Sequence, residues 1–131
     1  MSEMDNKRVL VVDDDPMIRH IVQTILEAEG YAVQTAENGA DGVDKLHQEG
    51  IAEPFRFMVL DMMMPKMTGI EVLEALRETP HFDKLPIIML TAENKPTDIL
   101  SGYSAGASYY MTKPFTREQL LRGIDLVLAE E

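Results

Sequence analysis

The chain has no cysteine and no tryptophan, and only 6% of its residues are aromatic. Without cysteine there is neither a disulfide framework nor a thiolate metal site. No apolar run approaches the roughly 18 residues of a membrane span, so membrane insertion is not expected. The opening residues, MSEMDNKRVLVV, lack the charged, apolar and small-residue segments of a secretory signal. Together these absences suit a reducing, cytoplasmic setting, which is the expected location. Basic residues are scarce: 12 Lys and Arg stand against 23 Asp and Glu, a net charge of −11. Phosphate contacts need a basic face, so direct DNA binding is not expected. An acidic balance suits a protein partner or a bound cation. No repeat, linker or low-complexity tract interrupts the 131 residues. That length predicts a single domain, 1–131, able to bury a core of its own.

What the chain does have is a series of short apolar runs, each stopping at a polar group. Val9-Leu10-Val11-Val12 ends at Asp13-Asp14-Asp15. Phe57-Met58-Val59-Leu60 ends at Asp61, followed by three methionines and Pro65. Ile87-Ile88-Met89-Leu90 ends at Thr91. Tyr109-Tyr110-Met111 is followed by Lys113-Pro114-Phe115. Unbroken apolar runs of this length predict strands buried on both faces, as in a parallel sheet. Tyr31 to Thr35 alternates weakly and predicts a further short strand.

Helical spacing fills the gaps. Pro16 suits a first turn, with Ile18, Ile21, Val22, Ile25 and Leu26 behind it and Gly30 at the close. A helix over Ala40–Gln48 follows the Asn38-Gly39 turn. One over Ile70–Glu78 sets Ile70, Leu73, Leu76 and Arg77 on one face. Residues 96–105 predict a weak helix anchored by Ile99, Leu100 and Tyr103. Thr116 and Gln119 form a capping box for a last helix running to about Ala129. Glu49 to Arg56 reads as a polar loop.

Strand then helix, five times over, predicts an α/β protein. The expected architecture is a doubly wound, five-stranded parallel sheet of the flavodoxin-like (βα)5 type, strand order 2-1-3-4-5. In open sheets of this kind ligands bind beyond the carboxyl ends of the strands, where the order reverses. Asp13, Asp14 and Asp61 end the two strands that flank that point.

Carboxylates gathered at one edge repel each other. Two unit charges about 4 Å apart cost roughly 4 kcal/mol at an effective dielectric near 20. A divalent cation relieves this, and an all-oxygen ligand set favours Mg²⁺, Mn²⁺ or Ca²⁺ over zinc. Few protein ligands on a rigid edge suit Mg²⁺ best. The plainer use of Asp13-Asp14-Asp15 is a helix N-cap with acids at the positive end of the helix, and that stays open for Asp15. Thr91 and Lys113, at the ends of two further strands, would face the same edge. A hydroxyl and an ammonium beside a metal-bound aspartate are what a phosphorylated aspartate needs.

Four segments, VLVVDDDPMIR, FMVLDMMMPKMTG, PIIMLTAE and GASYYMTKPF, run in order across nearly the whole chain. In this they resemble the receiver domain of two-component response regulators, close to the stand-alone chemotaxis type, with a core of about residues 8–129. Chemotaxis receivers are themselves examples of the flavodoxin-like order, so resemblance and topology are one expectation rather than two. The resemblance implies that Asp61 is the phosphoacceptor, taking its phosphoryl group from a phosphohistidine of a sensor histidine kinase or phosphotransfer protein. It implies that Asp13 and Asp14 hold Mg²⁺, with Asp14 favoured as direct ligand, and that Asp61 and the backbone carbonyl of Met63 complete the protein ligands. Thr91 would be the switch hydroxyl and Lys113 the contact to the phosphoryl oxygen. Tyr110 falls at the aromatic switch position, which turns inward as Thr91 moves. The implied output is a remodelled surface of fourth helix, fifth strand and fifth helix, read by a downstream protein effector. The chemistry would be self-phosphorylation and hydrolysis, not turnover of a separate substrate. Ile18, Ile21 and the Pro114-Phe115 corner could meet the kinase, although both isoleucines also suit the core, Ile21 the more so. Met62 and Met63 depart from the polar residues frequent after the phosphoacceptor, which leaves Glu93 to orient a hydrolytic water.

A different class is also possible: a Mg²⁺-dependent haloacid-dehalogenase-like phosphatase with Asp13 as nucleophile, since the apolar run and Asp13-Asp14-Asp15 match its motif. That family needs a later acidic pair, and none follows the fourth strand. A flavin-binding module would need a Ser-, Thr- and Gly-rich loop after the first strand, where this chain has three aspartates.

Overall fold

The computed structural model describes residues 6–51, 53–62, 64, 67–92 and 106–129. Among the described residues nine elements follow one another: β1 (Arg8–Val12), α1 (Pro16–Ala28), β2 (Ala32–Ala36), α2 (Gly39–Glu49), β3 (Phe57–Asp61), α3 (Gly69–Arg77), β4 (Ile87–Thr91), β5 (Tyr109–Thr112) and α4 (Arg117–Ala129). The five strands are all parallel and lie in the order β2-β1-β3-β4-β5. This is the expected doubly wound sheet. The helix expected over 96–105 lies outside the described residues.

Alternation explains why the strand runs are apolar throughout. Successive side chains point to opposite faces of a sheet, and here both faces are covered. Leu10, Val12, Met58, Leu60, Ile87, Met89 and Tyr110 pack on one face with Leu46 of α2 and Val72, Leu73 and Leu76 of α3. Val9, Val11, Phe57, Val59, Ile88, Leu90 and Met111 pack on the other with Val22 and Leu26 of α1 and Leu120, Ile124 and Val127 of α4. Every residue of β3 and β4 is buried.

The helices begin where their caps place them. The Asp15 side chain accepts from Met17 N at 2.9 Å and Pro16 occupies the first turn. The Asn38 side chain caps α2. Thr68 and Glu71 form a capping box on α3, and Thr116 and Gln119 bond reciprocally at the start of α4. The chain leaves α1 through Gly30, whose φ of 94° is the left-handed region that glycine enters at no steric cost.

Three expectations need correction. Ile21 is 41% exposed rather than core, because the inward face of α1 is taken by Val22 and Leu26. In α3 it is Val72 that is fully buried, while Ile70 is only half-buried. The loop before β3 is not purely polar: Phe55 is buried, and the Arg8 guanidinium lies 4.3 Å from its ring centroid. The same guanidinium donates to the carbonyls of Glu49 and Glu53, which ties the loop to β1.

Candidate functional site

The carboxyl ends of β1 and β3 are adjacent, since Val12 pairs with Leu60. One step further along each strand sit Asp13 and Asp61, and Asp14 joins them. One carboxylate oxygen from each of the three lies within 4.8 Å of the others. Asp13 and Asp61 are buried at 1% and 4% exposure, whereas Asp14 is open to solvent. Lys113, just beyond β5, reaches into the cluster. Its Nζ donates to Asp13 Oδ2 at 3.0 Å and to Asp61 Oδ1 at 3.2 Å. Thr91 closes the same edge at the end of β4, fully buried, and its carbonyl accepts from Lys113 N at 2.6 Å. The structure thus gathers Asp13, Asp14, Asp61, Thr91 and Lys113 at the edge the sequence indicated. Met63 and Glu93 lie outside the described residues.

The electrostatics follow from this crowding. Burial first, then the charge of Asp13 and the neighbouring Asp14 carboxyl, push the Asp61 carboxyl up to about 7, against the opposing pull of Lys113. Burial alone would lower the Lys113 ammonium, but its bonds to Asp13 and Asp61 and their charges outweigh it and raise the group instead. One ammonium therefore serves two buried carboxylates, and Asp14 adds a third negative charge. All-oxygen donors with unmatched charge fit a hard divalent cation.

The backbone around the acids is held as tightly as the side chains. Asp13 Oδ1 accepts from Asp15 N at 2.9 Å, and Asp13 O accepts from the Arg19 guanidinium at 2.8 Å. Met62 N donates to Leu90 O and Met62 O accepts from Gly69 N, both at 2.9 Å. A Cβ on Gly69 would sit 2.5 Å from Asp61 O, so only glycine lets the start of α3 approach this closely. Arg19, Gly69 and the Met62 side chain have no role in the reading of the sequence. For Arg19 the available signal was a basic residue at the end of the first turn of the helix that follows the acids. Tyr110 is already inward at 8% exposure, with its hydroxyl donating to Met62 Sδ at 3.1 Å.

An edge of converging aspartates with one lysine, on a 2-1-3-4-5 parallel sheet, is consistent with a phosphoryl-accepting signalling domain. The response regulator receiver domain family matches residues 9–125 of this chain. The chain belongs to that family and is a receiver domain of two-component signalling. Among solved structures it is similar to the chemotaxis protein CheY4 of Vibrio cholerae, at 36% identity and a TM-score of 0.86, covering 94% of this chain and 99% of that one. It is also similar to a CheY-like receiver domain protein of Methanospirillum hungatei JF-1, at 33% identity and a TM-score of 0.83, covering 96% of each chain. Among curated proteins it is 39% identical over 123 residues to the transcriptional regulatory protein ResD of Bacillus subtilis, which spans 93% of this chain but 48% of that protein. The chain spans about half the length of the curated relatives it matches.

Nothing favours the haloacid-dehalogenase-like phosphatase. No helix among the described residues is long and apolar enough to cross a membrane.

Proposed function

We propose that residues 8–129 form the core of one receiver domain in which Asp61 is the phosphoacceptor. The observation that carries this is the bridge from Lys113 to Asp61 and Asp13 within the three-carboxylate cluster. An Asp61 oxygen attacks the phosphorus of a phosphohistidine on a sensor kinase or phosphotransfer protein. The P–N bond breaks, its electron pair returns to the imidazole, and an acyl phosphate forms on Asp61. Lys113, already within hydrogen-bond reach of Asp61, follows the new negative charge to a phosphoryl oxygen. Asp13 keeps the lysine at the edge in both states.

Asp13, Asp14, Asp61 and the Met63 carbonyl would hold Mg²⁺, with Asp14, the exposed member, the direct ligand of the acidic pair. The bound ion would neutralise charge that develops on the transferring group. Thr91 is the switch hydroxyl: the phosphoryl oxygens draw it in, and the β4 end shifts with it. Tyr110 on the neighbouring strand follows Thr91, and the surface including β5 and α4 is what a protein effector reads. That partner selects a state already populated before phosphorylation. The domain's chemistry is limited to its own phosphorylation and hydrolysis, and its acidic residues make no direct contact with DNA.

Radiolabelled acetyl phosphate with Mg²⁺ tests the assignment. Label should enter the wild type, fall to a weak residue in Asp13→Asn and vanish in Asp61→Asn. Label that persists in Asp61→Asn overturns the assignment. Decay of the labelled protein tests the hydrolysis step: Met63→Asn should change the rate, and an unchanged rate removes the side chain at that position from hydrolysis.

A further inference from the structure

Three methionines follow Asp61, and the structure gives one of them a contact that the sequence does not reveal. Met62 is buried, as is Tyr110, and the Tyr110 hydroxyl lies 3.1 Å from Met62 Sδ. These residues are not on adjacent strands, because β4 runs between β3 and β5. The bond therefore crosses the sheet face above Met89, which pairs with both Leu60 and Tyr110. Thr91 lies two residues beyond Met89 and so shares that face. Met62 cannot drift, since its N–H is held by Leu90 O and its carbonyl by Gly69 N.

We propose that Met62 is a positioning residue for the phosphoryl switch: its sulfur holds the Tyr110 side chain inward before Asp61 is modified, and joins that side chain to the backbone turn that carries Asp61. This rests on the receiver reading of Asp61 given above. Two consequences follow. The inward position of the tyrosine, which phosphorylation would otherwise have to select, is already favoured in the resting protein. And because Met62 is bonded in sequence to Asp61, any shift of the acceptor turn moves the atom on which the tyrosine rests. Sulfur is a weak acceptor, so the bias is modest. A neutral hydrogen bond shifts an equilibrium by about 2- to 10-fold, and the lower half of that range is expected here.

The test uses the full chain labelled with fluorotyrosine, with the Tyr110 resonance assigned by Tyr110→Phe. Met62→Leu keeps the volume and removes the acceptor. Its Tyr110 resonance should move towards that of a solvent-exposed ring, and its phosphorylation by acetyl phosphate should slow by about 2- to 5-fold. Tyr110→Phe keeps the ring, removes the donor and should slow labelling by the same factor, and the double variant should be no slower than either. An unchanged Tyr110 resonance in Met62→Leu, or rate losses that multiply in the double variant, overturns the proposal. If the wild type takes no label while Met62→Leu still moves the resonance, the latch stands and the phosphoacceptor assignment fails.

Discussion

At the scale of single residues, the largest consequence concerns the charge on Asp61. Its carboxyl is pushed up to about 7 from 3.8, by burial and then by Asp13. A folded-state pKa above the unfolded value means that the native state binds the proton more tightly. The associated stability is fully present below pH 4 and is lost as the pH rises through 7. Without divalent metal, the protein should therefore become less stable across that window. Asp61→Asn removes the ionisation, so at pH 8 the variant should be more stable than wild type by on the order of 2–4 kcal/mol. The advantage should disappear below pH 4. Urea unfolding in a chelating buffer at several pH values measures the difference, and a variant equally unstable at pH 8 would mean that Lys113 already compensates the charge. Arg77 is a second residue with more than local reach. Its guanidinium donates to the carbonyls of Gly106, Phe82, Asp83 and Leu85, and burial lowers its pKa. Lysine cannot reproduce a planar fork. Arg77→Lys should cost about 1–2 kcal/mol in denaturant unfolding, since partly buried carbonyls would be left without donors.

At the scale of elements, the site is the work of strand ends and of one helix start. Asp13, Asp61 and Thr91 finish runs whose apolar character places them at one edge, and this is why the acids, the threonine and Lys113 could be read from the sequence. What could not be read depends on which way an element turns. Helical spacing proposed both Ile21 and Val22 for the core, and only packing against the sheet decided that Val22 faces in. Ile70 and Val72 exchanged places for the same reason. The role of Gly69 was invisible because it depends on a contact with Asp61 O that is non-local in character, although the two are only eight residues apart. That contact gives the element-scale prediction. In Gly69→Ala the added carbon would lie 2.5 Å from Asp61 O and 2.8 Å from Met62 Cα. Backbone must then shift, at a cost of about 1–3 kcal/mol. The start of α3 should retreat from the turn that carries Asp61, so labelling by acetyl phosphate should slow even where the variant remains folded. Thr68→Ala serves as the control: it loses the capping box and about 1 kcal/mol but leaves the turn in place, so labelling should be near normal.

At the scale of the whole molecule, the acidic balance and the carboxylate cluster make different predictions about ions. A net charge of −11 is spread over the surface, and any salt at equal ionic strength screens it. The cluster of Asp13, Asp14 and Asp61 is one site and should respond to divalent cations specifically. Binding to the native state alone stabilises by RT ln(1 + [L]/Kd), about 1.4 kcal/mol at ten times Kd. For a domain of this size that is a rise in Tm of roughly 4–6 °C. MgCl2 should therefore raise Tm beyond NaCl of matched ionic strength. Asp14→Asn should abolish the excess, because the variant removes an exposed carboxylate of the cluster and leaves the core untouched. Protons compete for the same oxygens. With the Asp61 carboxyl near 7 in the metal-free protein, the Mg²⁺ increment should grow from pH 6 to pH 8, opposite in sign to the metal-free trend. Raising the pH weakens the empty cluster and strengthens the filled one. A Mg²⁺ increment independent of pH, or one retained in Asp14→Asn, would place the ion elsewhere on the acidic surface.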